Sequence, residues 1–254
     1  MGLLAAGGTL GILIPPSIIL IIYGVAVEES IIGLFMAGVG PGLFLILMFS
    51  IYSVGYARFG GQLEVLPRAS WEERRKATIG ALPVLVLAAA IVLGIYFGVF
   101  TPTEAAGVGF VLALIITIGR GTLNWTKLKE ASVEAMQTTV TIFLIIAGAK
   151  IFSKAITLYR IPQDVTRMVT ENFTDVGMFL LVVCFILLVM GLFIESLSML
   201  VIMVPVLYPA LMTMGVDPIW FGIVFVIMIE CALITPPVGL NLFVVQAVGN
   251  ATLW

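Results

Sequence analysis

Long apolar segments follow one another along this chain, separated by short polar connectors. Apolar stretches lie at about 2–27, 31–57, 79–100, 104–119, 136–158, 176–194, 196–214, 219–234 and 238–249. A helix needs about 20 residues to cross a hydrocarbon core of about 30 Å, so the longer stretches predict transmembrane helices. The shorter stretches from 196 onwards predict half-helices or a re-entrant hairpin. Because strands of a membrane barrel would alternate apolar and polar residues, the pattern predicts an all-α integral membrane protein in the lipid bilayer.

Two of these stretches are interrupted by adjacent prolines, Pro15–Pro16 near one end of the chain and Pro236–Pro237 near the other. Proline has no amide hydrogen and its ring clashes with the preceding helical turn, so each pair opens the helix and leaves carbonyls without donors. Such carbonyls are costly in hydrocarbon unless they are buried in protein or line a polar cavity. Two broken helices near opposite ends predict a binding site between two structural repeats.

Small and oxygen-bearing residues adjoin both proline pairs. The run 7–11 (GGTLG) precedes the first pair, and Glu230, Thr235, Gly239 and Asn241 surround the second. Glycine permits close backbone approach, and hydroxyl, amide and carbonyl oxygens are hard ligands that suit a small cation such as sodium. The alternative interpretation is that glycine and proline only kink these membrane helices.

Composition narrows the possible chemistry. The chain has 254 residues, of which 61% are hydrophobic and 10% charged, with a net charge of -2 and no histidine. There is no basic excess for nucleic acid, and the commonest metal ligand and general base is missing. Cys184 and Cys231 lie inside apolar runs, which argues against a disulfide framework. We therefore expect neither an enzyme nor a resident cofactor.

A few charged residues fall within or beside the apolar stretches. A carboxylate at membrane depth costs about 2.5 kcal/mol or more, so Glu195 suggests a functional site, or else a hairpin mouth that reaches water. Glu230 is a similar case, but its offset of five residues from Thr235 means that shared ligation would require an unwound helix. Lys150 and Lys154 share one helix face and are expected to extend to the interface.

Polar motifs also predict local structure. Thr101 to Glu104 fits a capping box, and Ser70 and Asp217 likewise precede predicted helix starts. Basic residues are concentrated at 58–78 and 120–129, which the positive-inside rule places in the cytoplasm. The mixed polarity of 161–169 predicts a segment along the membrane interface.

Three motifs occur in order along the chain. They are Gly8–Ser17 (GTLGILIPPS), Phe100–Ala106 (FTPTEAA), and Asp217–Gly222 (DPIWFG) followed by Leu233–Asn241 (LITPPVGLN). Together they closely resemble the large membrane subunit of TRAP transporters, of the DctM type. The resemblance runs from about residue 2 to the end. The family subunit is longer at its N-terminal end, so we expect this chain to be a C-terminal fragment.

The resemblance implies an inverted-repeat, elevator-type transporter with broken helices and a re-entrant hairpin. It would be the large permease subunit of a sodium-coupled importer of organic acids, dicarboxylates or related carboxylates, in a bacterial-type inner membrane. The implied partners are a small TRAP membrane subunit and a periplasmic substrate-binding protein, and sodium is the coupling ion. Residues 1–57 would end the first repeat, 58–78 would form a cytoplasmic amphipathic connector, and 79–254 would form the second repeat. That repeat would contain a hairpin at about 195–214 and a broken helix at about 219–249.

The resemblance also implies positions for the sites. The first sodium site would use backbone oxygens around Gly8, Gly11, Ile14 and Pro16. The second would use Glu195, Ser196, Ser198, Ala232, Thr235 and Pro237, and the substrate cavity would include Thr9, Ser17 and Asn241. The chain departs from the family pattern at Ala232, where glycine is common, and at Glu195, where aspartate is frequent.

Three other functions stay open at this point. One is an ion-coupled carboxylate carrier with the same architecture but no binding protein. Another is a membrane-embedded enzyme that uses Glu195 and Glu230 as an acid/base pair, which the missing histidine disfavours. The third is a purely structural membrane subunit.

Overall fold

The computed structural model describes residues 2–59, 68–235, 239, 241, 242 and 245. The described residues form helices and no strand, which confirms the all-α prediction. The helices are α1 (Gly2–Leu13), α2 (Ile18–Val27), α3 (Ile31–Phe59), α4 (Trp71–Tyr96), α5 (Pro102–Gly119), α6 (Trp125–Leu158), α7 (Ile161–Asn172), α8 (Val176–Gly191), α9 (Ser196–Thr213) and α10 (Pro218–Ile234).

Several helices are long and apolar enough to cross a membrane. Within the described ranges these are α3, α4, α5, α6 and α9, which makes five spans, or up to six if α1 and α2 form one span bent by 42°. Helices α8 and α10 are apolar but shorter. The chain is therefore a multi-pass membrane protein, and of the shorter apolar helices α10 lies in the region where the sequence predicts half-helices.

The predicted helix starts are present. Ser70 and Thr101 each form a complete capping box at the start of α4 and α5. The Asp217 carboxylate accepts a hydrogen bond of 2.7 Å from the Trp220 amide at the start of α10. These caps satisfy amides that have no partner within the helix, and their sequence signature is local.

Two transmembrane helices begin earlier than their apolar stretches predict. Helix α4 begins at Trp71 rather than near 79 because the Ser70 cap precedes a polar first turn. Helix α6 begins at Trp125 rather than near 136. At this start, the Asn124 side chain accepts a 2.8 Å hydrogen bond from the Lys127 amide. Hydropathy therefore located the membrane-embedded part of each helix and missed its polar start.

The hairpin region differs from the prediction of a hairpin at about 195–214. Helix α9 runs without interruption from Ser196 to Thr213, through Pro205 and Pro209. The turn between two apolar helices lies earlier, at residues 192–195, between α8 and α9. The turn of a hairpin in this region would therefore lie between α8 and α9 rather than within α9, and the re-entrant hairpin itself stays a prediction.

The chain divides into two compact units. Unit 1 contains Met1–Ile51 and Val140–Trp254, and unit 2 contains Tyr52–Thr139. In unit 1, α10 packs against α1, α2, α8 and α9, and α9 also packs against α2 and α7. In unit 2, α4 packs against α5.

A buried aromatic group fixes α2 to α10 in unit 1. Tyr23 is fully buried, and its hydroxyl donates a 2.7 Å hydrogen bond to the Pro218 carbonyl. Its ring lies 6.4 Å from that of Phe225, centroid to centroid, and Phe225 lies 6.0 Å from Phe221. The second half of the first broken helix is thus held against the start of α10.

Helix α7 is the segment that the sequence places along the membrane interface. Arg167 and Asp164 form an exposed ion pair at 2.7 Å on its polar side. Pro162 and Val169 are buried on its other side, and the helix packs against α9. Its two faces are consistent with the mixed polarity of the sequence, and its place relative to a membrane stays a prediction.

Candidate functional site

The first proline pair lies between α1 and α2, where the two helices are bent by 42°. Because Pro15 and Pro16 have no N–H groups, the carbonyls of Gly11 and Ile12 lose their helical donors. The Ser17 hydroxyl replaces one of them by donating to the Ile12 carbonyl. Ser17 also caps α2 by accepting a hydrogen bond from the Leu20 amide. Among the described residues, no side chain donates a hydrogen bond to the Gly11 carbonyl.

Helix α3 covers another carbonyl at this break. A Cβ at Gly38 would lie 2.7 Å from the Leu13 carbonyl oxygen, which is much closer than van der Waals contact. Glycine is therefore required where α3 crosses the end of α1. By contrast, Gly8 and Gly11 are exposed, and no heavy atom outside their own helix lies within 4 Å of a Cβ built on either. The side of α1 that carries these two glycines is open.

The remaining residues predicted around the first break have identifiable structural roles. Thr9 is 1% exposed and its hydroxyl donates a 2.8 Å hydrogen bond to the Ala6 carbonyl. The Ile14 side chain occupies the space beside Gly42, and Pro16 is exposed. The Thr9 and Ser17 hydroxyl protons are thus directed to backbone carbonyls, and a substrate cavity at these two residues stays a prediction.

The second proline pair follows α10, whose last residue is Ile234. The Thr235 amide donates to the Ala232 carbonyl at 3.2 Å, and the Thr235 hydroxyl donates to the Cys231 carbonyl at 2.5 Å. Pro237 lies outside the described residues, but it has no N–H to donate to the Leu233 carbonyl four residues earlier. The Leu233 carbonyl at the C-terminal end of α10 therefore lacks its regular helical donor.

Four residues beyond this proline pair are described, at positions 239, 241, 242 and 245. Gly239 has a φ of 51°, a left-handed conformation that favours glycine, and its carbonyl accepts a 2.7 Å hydrogen bond from the Leu242 amide. Asn241 is helical and half-buried. Its predicted place in a substrate cavity stays a prediction.

The predicted hairpin tip forms the N-terminal cap of α9. The Glu195 carboxylate accepts hydrogen bonds from the amides of Leu197 at 3.0 Å and Ser198 at 3.2 Å, and the Ser198 hydroxyl donates to it at 3.3 Å. Glu195 is exposed, whereas Ser196 is buried. A carboxylate at a helix N-terminus is stabilised by the free amides and by the helix dipole. Glu195 thus has a complete structural explanation as a cap, and its oxygens face solvent-accessible space.

A close helix contact brings the hairpin tip to the second break. A Cβ at Gly191, the last residue of α8, would lie 2.5 Å from the Cβ of Ala232 and 3.3 Å from the Met199 sulfur. Because Gly191 is four residues before Glu195, this contact brings the segment that leads into the tip against the end of α10. Sequence reasoning missed Gly191, since a single glycine in an apolar run does not indicate its tertiary neighbour.

The ligand types at these positions suit a hard monovalent cation. Among the described residues, no group of three His, Cys, Asp or Glu side chains could hold a metal ion. The carbonyl and hydroxyl oxygens at these positions are ligands that sodium accepts and softer metals do not prefer. One further polar group is unexplained: Glu230 is buried, and its Oε1 has no hydrogen-bond partner in the described part of the chain.

Apolar helices of transmembrane length, with paired prolines that interrupt or end two helices, define a multi-pass membrane protein. The family model described as "Tripartite ATP-independent periplasmic transporter, DctM component" matches residues 1–254. The chain belongs to this family, which confirms the resemblance found in the sequence.

Curated relatives agree with this assignment. The C4-dicarboxylate TRAP transporter large permease protein DctM of Pseudomonas aeruginosa is 42% identical over 255 residues, covering 99% of this chain and 59% of the relative. The sialic acid TRAP transporter large permease protein SiaM of Vibrio cholerae is 35% identical, with 98% and 58% covered. The ectoine TRAP transporter large permease protein TeaC of Halomonas elongata is 33% identical, with 98% and 58% covered. The chain thus spans about 60% of the length of these relatives.

Proposed function

We propose that this chain belongs to the large permease subunit of a sodium-coupled tripartite importer of organic acids that works by elevator-type alternating access. The observation that supports this most directly is the packing of α1 against α10. Each of these helices is followed by a proline pair that removes the donors of its last carbonyls. Packed broken helices with free carbonyls are the arrangement in which secondary transporters hold ions and substrate.

The residues present fit the two sodium sites that the resemblance implies. At the first, the Gly11 carbonyl and the open side of α1 would provide ligands. At the second, the carbonyls of Ala232 and Leu233, the Thr235 hydroxyl and the tip at Ser198 would provide them. Occupancy of the second site would hold the start of α9 against the end of α10, and the substrate-bearing bundle would then move against a fixed scaffold. Empty sites would leave the Gly11 and Leu233 carbonyls without their helical donors, which disfavours movement without sodium.

The proposed substrate is a C4-dicarboxylate or a related carboxylate. Two relatives named as C4-dicarboxylate permeases are 42% and 38% identical to this chain. The proposed partners are a small TRAP membrane subunit and a periplasmic substrate-binding protein, since the family is defined as tripartite. The enzyme alternative is not favoured, because the family consists of transporter components and Glu195, half of its acid/base pair, already caps α9.

Thr235→Ala tests the sodium assignment. In proteoliposomes that contain the complete permease, the small subunit and the binding protein, this variant should raise the sodium concentration for half-maximal succinate uptake. Loss of one ligand worth about 1.4 kcal/mol corresponds to a roughly tenfold increase.

Thr213→Ala is the matched control. Thr213 ends α9, is exposed, and donates a 2.9 Å hydrogen bond to the Pro209 carbonyl in the same manner as Thr235 does to Cys231. It should leave the sodium dependence unchanged. Equal sodium dependence in both variants would remove Thr235 from the site. Uptake that proceeds at the full rate without binding protein would instead support an ion-coupled carrier that works alone.

A further inference from the structure

Glu230 is a buried acid that has no counter-charge on the described helices packed around it. It lies on α10, is 4% exposed, and its Oε1 makes no hydrogen bond within the described part of the chain. Helix α10 packs against α1, α2, α8 and α9. Throughout these five helices, whose residues are all described, Glu230 is the one residue with a charged side chain.

An ionised carboxylate in such a place requires a positive charge nearby and a hydrogen-bond donor or cation in contact with each of its oxygens. No lysine or arginine is available on the five helices to provide them. A proton would remove the charge but would still leave a buried oxygen without a hydrogen-bond partner. A small hard cation would satisfy both requirements, because the carboxylate oxygens would become its ligands.

The orientation of Glu230 separates it from the second proline break. Ala232 faces Gly191 at the end of α8. At 100° per residue, a side chain two positions earlier points about 160° away from that direction. Glu230 instead shares a face with Ile223, seven residues earlier, whose Cδ1 lies 3.7 Å from a Cβ built on Gly38. Gly38 is the residue of α3 that packs on the Leu13 carbonyl at the end of α1. The carboxylate therefore does not belong to the tip-side site.

Helix α1 offers a suitable second ligand type. Its buried residues are Ala5, Ala6, Thr9 and Leu13, so Thr9 is the polar side chain on its buried face. The Thr9 hydroxyl uses its proton on the Ala6 carbonyl and retains lone pairs that a cation could accept.

We propose that Glu230 is the anionic ligand of an additional sodium ion bound in the core of unit 1. This ion would lie apart from the site at the second proline break and on the buried face of α1, whereas Gly8 and Gly11 of the first site lie on its exposed side. The inference rests on the proposed function in taking sodium as the ion. It assigns to sodium a role in holding the helix packing together as well as in coupling.

The test is the melting temperature of the purified complete permease in detergent, measured in sodium chloride and in choline chloride. A ligand that binds only the folded state raises the melting temperature with its concentration. Wild type should be stabilised by sodium. Glu230→Gln, which removes the charge at constant size, should melt higher than wild type in choline and should show a smaller sodium-induced rise than wild type.

Glu134→Gln is the control, since Glu134 is exposed on α6 and its removal should leave the sodium-induced rise intact. Glu230→Asp keeps the charge but shortens its reach, so the sodium concentration for half the rise should increase about tenfold or more. This second variant decides the question if Glu230→Gln does not fold.

The possible failures are distinguishable. A wild-type protein that sodium does not stabilise at all would remove the sodium coupling of the proposed function. Normal sodium stabilisation of both Glu230 variants would overturn this inference alone and leave Thr235 to be tested separately. Stabilisation of wild type by acid, equal in sodium and choline, would also overturn it, in favour of a bound proton.

Discussion

The contact between Gly191 and Ala232 makes a quantitative prediction through a double-mutant cycle. Gly191→Ala places a methyl group 2.5 Å from the Ala232 methyl, whereas carbon atoms prefer about 3.5–4.0 Å. The helix ends must separate by roughly 1 Å. Such overpacking costs about 1–3 kcal/mol. At about 2–4 °C per kcal/mol, the melting temperature should fall by about 2–12 °C.

Ala232→Gly removes the methyl group that an alanine side chain at position 191 would otherwise meet. Alone, it costs about 1 kcal/mol because glycine is a poor helix former. In the double variant Gly191→Ala/Ala232→Gly the new methyl group meets no methyl group opposite. The double variant should therefore be more stable than the sum of the single effects by about 1–3 kcal/mol.

The assay is thermal unfolding of the four proteins in the same detergent, with Gly148→Ala as control. Gly148 is exposed in α6, and nothing lies within 4 Å of a Cβ built on it. That control should raise stability by up to about 1 kcal/mol through helix propensity alone. An equal loss of stability from Gly191→Ala in the wild-type background and in the Ala232→Gly background would show that residues 191 and 232 are not in contact. That result would also refute the approach of the hairpin tip to α10.

Two further variants test the remaining packing and capping. Tyr23→Phe should lower the stability of unit 1 by about 1 kcal/mol, because it removes the hydrogen bond from Tyr23 to the Pro218 carbonyl without changing the ring. Thr101→Ala should lower the stability of unit 2 by about 0.5–2 kcal/mol, because it removes the N-cap of α5. Thermal unfolding measures both, with the exposed Tyr52→Phe and Thr103→Ala as controls; equal melting temperatures for variant and control would contradict the assigned interaction.

The local features of this fold were predictable from sequence. Hydropathy located the apolar helices because hydrocarbon selects for length and composition alone. The Ser70 and Thr101 capping boxes were predictable because all their parts lie within four residues. The bend at Pro15–Pro16 was predictable because proline removes donors regardless of what packs around it.

Features that depend on neighbouring helices were not predictable. Pro205 and Pro209 indicated a broken or re-entrant segment, yet α9 continues through both, because surrounding protein can satisfy the carbonyls that a proline frees. Helices that are apolar on every side also give no signal for which face is buried. The contacts of Gly38 with Leu13 and of Gly191 with Ala232 therefore required coordinates.

The two prolines of α9 have a mechanical consequence. They lie four residues apart, so the carbonyls of Val201 and Pro205 successively lack their regular donors on one side of the helix. A helix that lacks successive backbone hydrogen bonds on one side bends more easily in the plane of that side than in other planes. The Glu195 end of α9 should therefore move easily in the plane in which the helix bends and resist displacement perpendicular to that plane.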